Sequence, residues 1–390
     1  MPNSCDPEPG NVHDELMVTN YILSVEEVSF LGDHPLFKDS ALTNPPIIVP
    51  ITDPVWRRTP AKNEAVAYTR NSPYQMNVLV KSSHVPFHDF QYRIDAITEG
   101  NLYNSQGYTR HLAFSQYDTV KAIDPVSWGH FPDHVGVIDS LRFHWMVNKA
   151  VAYGEMGFYF INPSGPHKIY LTYDKPKLDT VNTLALEKIC RYAQNQNIDT
   201  AIAHSGVTGA FNEHWDYAPE KTFIFADPLD VIRLQTGLCA DYANLLATYY
   251  RSVGIASKPT VIFNSVPLGD TTFLLHWIYT ELPTFPHGCV LTDPLPTCDN
   301  PVSISYLFNY HAVCRMGVYF CDAAFGLFKP SINYDAWWRY YLYPATLQGP
   351  WQDPEPPPVP PIYRDISYLI TSQNLYPPLS RGIVINHYHP

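Results

Sequence analysis

Positive charge is scarce in this chain. Its 390 residues carry 25 Lys plus Arg against 37 Asp plus Glu, a net charge of -12. A nucleic-acid surface needs a basic footprint, so no nucleic-acid partner is expected. No apolar run approaches the ~18 residues of a membrane helix, and no membrane span is expected either. The opening MPNSCDPEPGNVHDEL lacks both the basic and the apolar segment of a secretory signal, which leads to the expectation of a cytoplasmic protein, with an extracellular place left open. No two cysteines have CxxC spacing, which argues against a zinc site. Seven cysteines are an odd number in a long chain, unlike the pattern of a small disulfide scaffold. At least one thiol therefore stays free, while Cys289 and Cys298 are close enough in sequence to bridge in an oxidising compartment.

Proline and tyrosine are abundant. With 37 Pro, 28 Tyr, 45% hydrophobic and only 16% charged residues, the composition favours strands and turns over an all-helical fold. The length suits two domains, because single cores rarely grow past ~250 to 300 residues. Residues 1–45 are polar and read as an N-terminal extension with one strand or short helix at LMVTNYILSVEEVSF. From Pro46 short apolar runs alternate with turn residues: AVAYT, MNVLVKS, YRIDAI, LRFHWMV, GFYFI and HKIYLTYD. This texture predicts an all-β sandwich domain over 46–175.

At Asp174-Lys-Pro-Lys the texture changes. Asp179 or Thr180 can cap a helix with Val181, Leu184, Ala185, Ile189 and Tyr192 on one stripe. The segment NIDTAIAHSGVTGAFNEHWDYAPEK reads as a long polar connection, and strand-like runs follow from residue 260. Helix first and sheet second predicts an α+β domain over 176–350. The remainder, 351–390, is a Pro-rich tail in which DPEPPPVPP forms a stiff spacer and YRDISYLI returns as an edge strand or docks elsewhere.

Between them lies LQTGLCADYANLLATYYRSVGIAS. Counting from Cys239, residues Ala243, Leu246, Ala247, Tyr250 and Val253 share one helix face. Gly254 followed by Ile255 suits a Schellman end, so a helix is predicted over about 239–253. A thiol in the first turn meets unsatisfied N–H groups and the positive end of the dipole, both of which stabilise a thiolate. The plainer reading is a buried, inert thiol.

A base decides between these readings. In FNYHAVCRMGVYFCDAAFG two aromatic-rich runs flank Met316-Gly317, and a two-residue loop there would set His311 opposite Asp322. The carboxylate could then hold the imidazole while its other nitrogen serves the thiol, the logic of a nucleophile, base and orienter. His and Asp hydrogen-bonded to backbone at strand ends is the alternative.

These residues resemble the transglutaminase-like superfamily. GLCADYANLLATYYRSVGIAS is similar to its core helix, and YHAVCRMGVYFCDAAFG to its His and Asp strands in the short-hairpin form of bacterial members. The resemblance implies Cys239 as nucleophile, His311 as general base and acid, and Asp322 as the residue that orients His311. It also implies an immunoglobulin-like sandwich in front of a papain-like α+β domain. A rival set, His276-Trp277 with Glu281 and then Asp293-Pro294, resembles the longer hairpin of other members. The Cys239 N–H is one expected oxyanion donor, and Gln235 is a candidate for another. The implied reaction is acyl transfer on a peptide or protein amide through a thioester, with hydrolysis (a cysteine peptidase or amidase) ahead of amine capture by a transglutaminase. Neither route needs a cofactor. An inactive binding scaffold of the same fold is the reading from another class.

Overall fold

The computed structural model describes residues 23–40, 47–52, 54–82, 90–98, 108–114, 120–150, 156–213, 216–217, 227–263, 273–279, 304–308, 310–324, 326–330, 343–346 and 362–365. The protein is mostly strands with a few helices, a mixed α+β architecture. It divides into two units, Met1–Leu171 and Thr172–Pro390.

Among its described residues the first unit contains strands only: β1 (Leu23–Phe30), β2 (Leu36–Asp39), β3 (Ile48–Ile51), β4 (Val55–Arg57), β5 (Lys62–Asn63), β6 (Val66–Thr69) and β7 (Pro73–Ser82). These are followed by β8 (Phe90–Thr98), β9 (Tyr108–Phe114), β10 (Val120–His130), β11 (Gly136–Ala150), β12 (Met156–Phe160) and β13 (Ser164–Thr172). One sheet has the order β10-β7-β1-β4-β5, the other β6-β13-β11-β8-β9 with β12 on β11. A single buried cluster joins Val25, Val28, Val78 and Val80 of the first sheet to Tyr68, Phe143, Trp145 and Ile169 of the second. Leu23–Phe30, read as part of an N-terminal extension, instead belongs to this unit: β1 pairs with β4 and β7 in the middle of the sheet. Its inward residues Leu23, Val25, Val28 and Phe30 break strict alternation because a register shift between Val25 and Glu27 moves the inward phase by one residue.

The core of this unit also holds a polar chain. Trp145 Nε1 donates to Ser164 Oγ at 3.0 Å, and Ser164 Oγ lies 3.1 Å from His167 Nε2. The His167 ring is packed among Phe30, Trp56 and Phe143, and its Nδ1 is buried with no hydrogen-bond partner among the described residues.

In the second unit a short strand, β14 (Val181–Asn182), leads into helix α1 (Thr183–Tyr192). The cap is Asn182, whose side chain accepts from Leu184 N–H at 2.8 Å, rather than Asp179 or Thr180. Residues 199–212, read from the sequence as a connection, form helix α2 (Asp199–Asn212). Its glycines mark close packing and not a loop. A Cβ at Gly206 would meet the Tyr250 ring at 2.7 Å, and one at Gly209 would collide with Tyr192. Then come β15 (Asp216–Tyr217), α3 (Asp230–Leu234), β16 (Thr236–Gly237), parallel to β15, and α4 (Cys239–Ser252).

The remaining strands are β17 (Lys258–Phe263), β18 (Phe273–Tyr279), β19 (Ile304–Phe308), β20 (Tyr310–Met316), β21 (Tyr319–Asp322), β22 (Leu327–Pro330), β23 (Tyr343–Thr346) and β24 (Ile362–Asp365). They make a five-stranded sheet, β22-β21-β20-β17-β24, and a three-stranded one, β19-β18-β23. The run YRDISYLI thus returns to β17 as an antiparallel edge strand. Helix α4 packs on β20 and β17 and against α1 and α2. Of its residues only Thr248 and Arg251 are not buried, so the one-sided stripe seen in the sequence is a helix buried nearly all round. No helix among the described residues is long and apolar enough to cross a membrane.

Candidate functional site

Helix α4 starts at Cys239, as the spacing predicts. Leu238, in extended conformation, precedes it, and the Asp241 carboxylate accepts the Leu238 N–H at 2.8 Å. This is half of a capping box, with the acidic residue at the third helical position and no Ser or Thr at the cap. Asp241 is 1% exposed. Its role was missed in the sequence because the usual polar cap residue is replaced by Leu. Gln235 is exposed and left-handed at φ 54, closing α3, so its backbone serves the turn into β16.

The described thiols differ in surroundings. Cys190, Cys314 and Cys321 are 0% exposed, and Cys239 is 7% exposed at its helix mouth. Burial pushes the Cys321 thiol up to about 12 and raises Cys314 as well. The Tyr250 hydroxyl donates to Ala203 O at 2.8 Å and so accepts from the Cys321 thiol. Cys314 is hydrogen-bonded to Ser257 and to the Lys258 backbone. These two thiols are held as small core groups.

The hairpin that carries the expected base differs in register from the prediction. Its loop is Gly317-Val318 and not Met316-Gly317: Met316 pairs with Tyr319, Arg315 with Phe320 and Cys314 with Cys321. Gly317 supplies the positive φ, 54°, at the first loop position. Continued by one step, this ladder sets Asp322 beside Val313, so Asp322 and His311 are diagonal neighbours of the same parity. Diagonal positions lie about 7–8 Å apart, against about 5 Å for directly opposed ones. Asp322 is buried, and its Oδ1 accepts the Ala324 N–H at 3.0 Å, closing an Asx turn.

Lys258, the first residue of β17, follows the end of α4 by six residues, and His311 pairs with Ile262 near the other end of that strand. Parity adds a constraint. Cys314, opposite Cys321, belongs to the set that meets Tyr250 of α4, whereas His311 shares its parity with Val313 and Arg315. His276 sits in β18, paired with Leu307 of β19 and Tyr343 of β23. Glu281, Cys289, Asp293 and Cys298 lie outside the described residues. No family model matches the chain, and no curated protein matches it.

Proposed function

We propose that the protein carries out thiol-dependent acyl transfer on a peptide or protein amide, with Cys239 as nucleophile. The observation that carries this reading is the position of Cys239. It is the first residue of a helix seated on an antiparallel sheet, and the only described thiol with any exposure. The first-turn N–H groups at that end of the helix are where a developing oxyanion would be stabilised. Attack on an amide carbonyl expels the amine, which takes a proton from the imidazolium, and leaves a thioester; water then releases the acid and the free thiol. The resemblance implies His311 as the base and Asp322 as its orienting carboxylate. The resemblance to the transglutaminase-like superfamily, with an immunoglobulin-like domain in front, supports hydrolysis over amine capture.

A second reading replaces His311 by His276, with Asp293 as orienter. The parity of His311, shared with Val313 and not with Cys314, favours it. One series tests both. Iodoacetamide at pH 6 to 7 is expected to label Cys239 well ahead of Cys190, Cys314 and Cys321, and Cys239→Ala is expected to abolish turnover of peptide amides, measured with and without an added amine. Loss of rapid labelling in His311→Ala, with His276→Ala unaffected, supports the first assignment, and the reverse supports the second. Slow, uniform labelling of the thiols overturns both and leaves a binding scaffold.

A further inference from the structure

Cys314 of β20 and Cys321 of β21 are direct cross-strand partners. Residues opposed in this way in an antiparallel pair share one face of the sheet. Their Cα atoms stand about 4.5 or 5.5 Å apart according to their place in the ladder, and both values lie within the ~4.4–6.8 Å that disulfides span. The sulfurs also turn to one spot. Burial and then Cys321 raise the Cys314 thiol, and after burial the same two sulfurs raise the Tyr250 hydroxyl of α4. Each sulfur is therefore near the other and near that oxygen. What a bond needs beyond this is a small movement: Cβ atoms of opposed residues, about 4.5–5.5 Å apart, draw in to about 4 Å. The hairpin can supply it at its tip, where Val318 is exposed and nothing lies within 4 Å of where a Cβ on Gly317 would stand.

We propose that Cys314 and Cys321 are a redox-sensitive pair that closes a cross-strand disulfide in the presence of a small-molecule disulfide such as oxidised glutathione. One cysteine loses its proton and attacks the reagent, forming a mixed disulfide and releasing one thiol; the second cysteine then displaces the other half. Two protein S–H bonds are lost and one S–S bond forms, while the S–S bond of the reagent is reduced to two thiols, so protons and electrons balance. Both cysteines are 0% exposed. Exchange therefore waits on opening of the hairpin tip and is slow in the closed fold. The bond ties β20 to β21, the strands that carry His311 and Asp322, and its formation does not depend on any role of theirs.

Peptide mapping tests this. The full-length protein is held with oxidised glutathione, in buffer and in urea below its unfolding transition to speed opening, then denatured, alkylated with iodoacetamide and digested with chymotrypsin. The Tyr and Phe residues of YHAVCRMGVYFCDAAF put each cysteine in its own peptide. Mass spectrometry is expected to find these two peptides joined, lighter by two hydrogens than their thiol forms, in at least about half of the molecules at equilibrium, and dithiothreitol is expected to release them. Cys321→Ala is expected to lose the joined species, with a melting curve checking its fold; the wild-type map decides by itself if that variant melts early. Recovery of both cysteines as alkylated thiols from both samples, or either cysteine joined to another in the chain ahead of its cross-strand partner, would overturn the proposal.

Discussion

His167 shows how much one buried ring can decide. Among three aromatic rings its charged form is unsolvated, and burial pushes its pKa down to about 3 from the ordinary 6.5. Between those values the unfolded chain takes up a proton that the folded one refuses, so stability falls as pH drops from about 6.5 toward 3, by up to about 4 kcal/mol. His167→Phe keeps an aromatic ring there and removes the titration. Melting temperatures of the wild type are expected to drop from pH 7 to pH 4.5 more steeply than those of the variant, and parallel curves would show that the ring is protonated when folded. Of such residues the sequence says little. Trp145, Ser164 and His167 meet because three strand positions converge on one core, and no spacing along the chain announces that.

At the scale of elements the helix that begins at Cys239 was the most legible. Its predicted span of 239–253 compares with Cys239–Ser252, because both ends are written in local chemistry. At the C-terminal end Gly254 takes φ +91, its N–H donates to Arg251 O at 3.2 Å, and Ile255 N–H donates to Tyr250 O at 2.8 Å, a full Schellman motif. A Cβ on Gly254 would collide with the backbone of Asp174. Gly254→Ala is therefore expected to destabilise the protein by about 1–3 kcal/mol, read as a lower urea midpoint with unchanged slope. Helix α2 was illegible for the opposite reason. Its Gly206 and Gly209 look like loop residues in sequence and are explained only by the Tyr250 and Tyr192 rings against them. The hairpin register failed on one choice, whether Gly317 ends the loop or begins it. That choice moves Asp322 from beside His311 to beside Val313 without changing its parity.

At the scale of the whole molecule the chain divides between Leu171 and Thr172, a few residues before the change of texture at Asp174. The polar start of the chain was harder to read, because Leu23, Val25, Val28 and Phe30 become a recognisable inward face only once the bulge between Val25 and Glu27 is known. The late strand β24 has a consequence for how the protein can be shortened. Its four residues cover the outer rim of β17 in a sheet whose other neighbour there is β20. A stop codon after Pro361 would strip that rim and leave a row of unmatched amides and carbonyls, an invitation to any second strand. The trimmed protein is expected to elute from a sizing column as dimers or larger species where the intact chain does not, so that the four residues Ile362–Asp365 act as a guard against self-association.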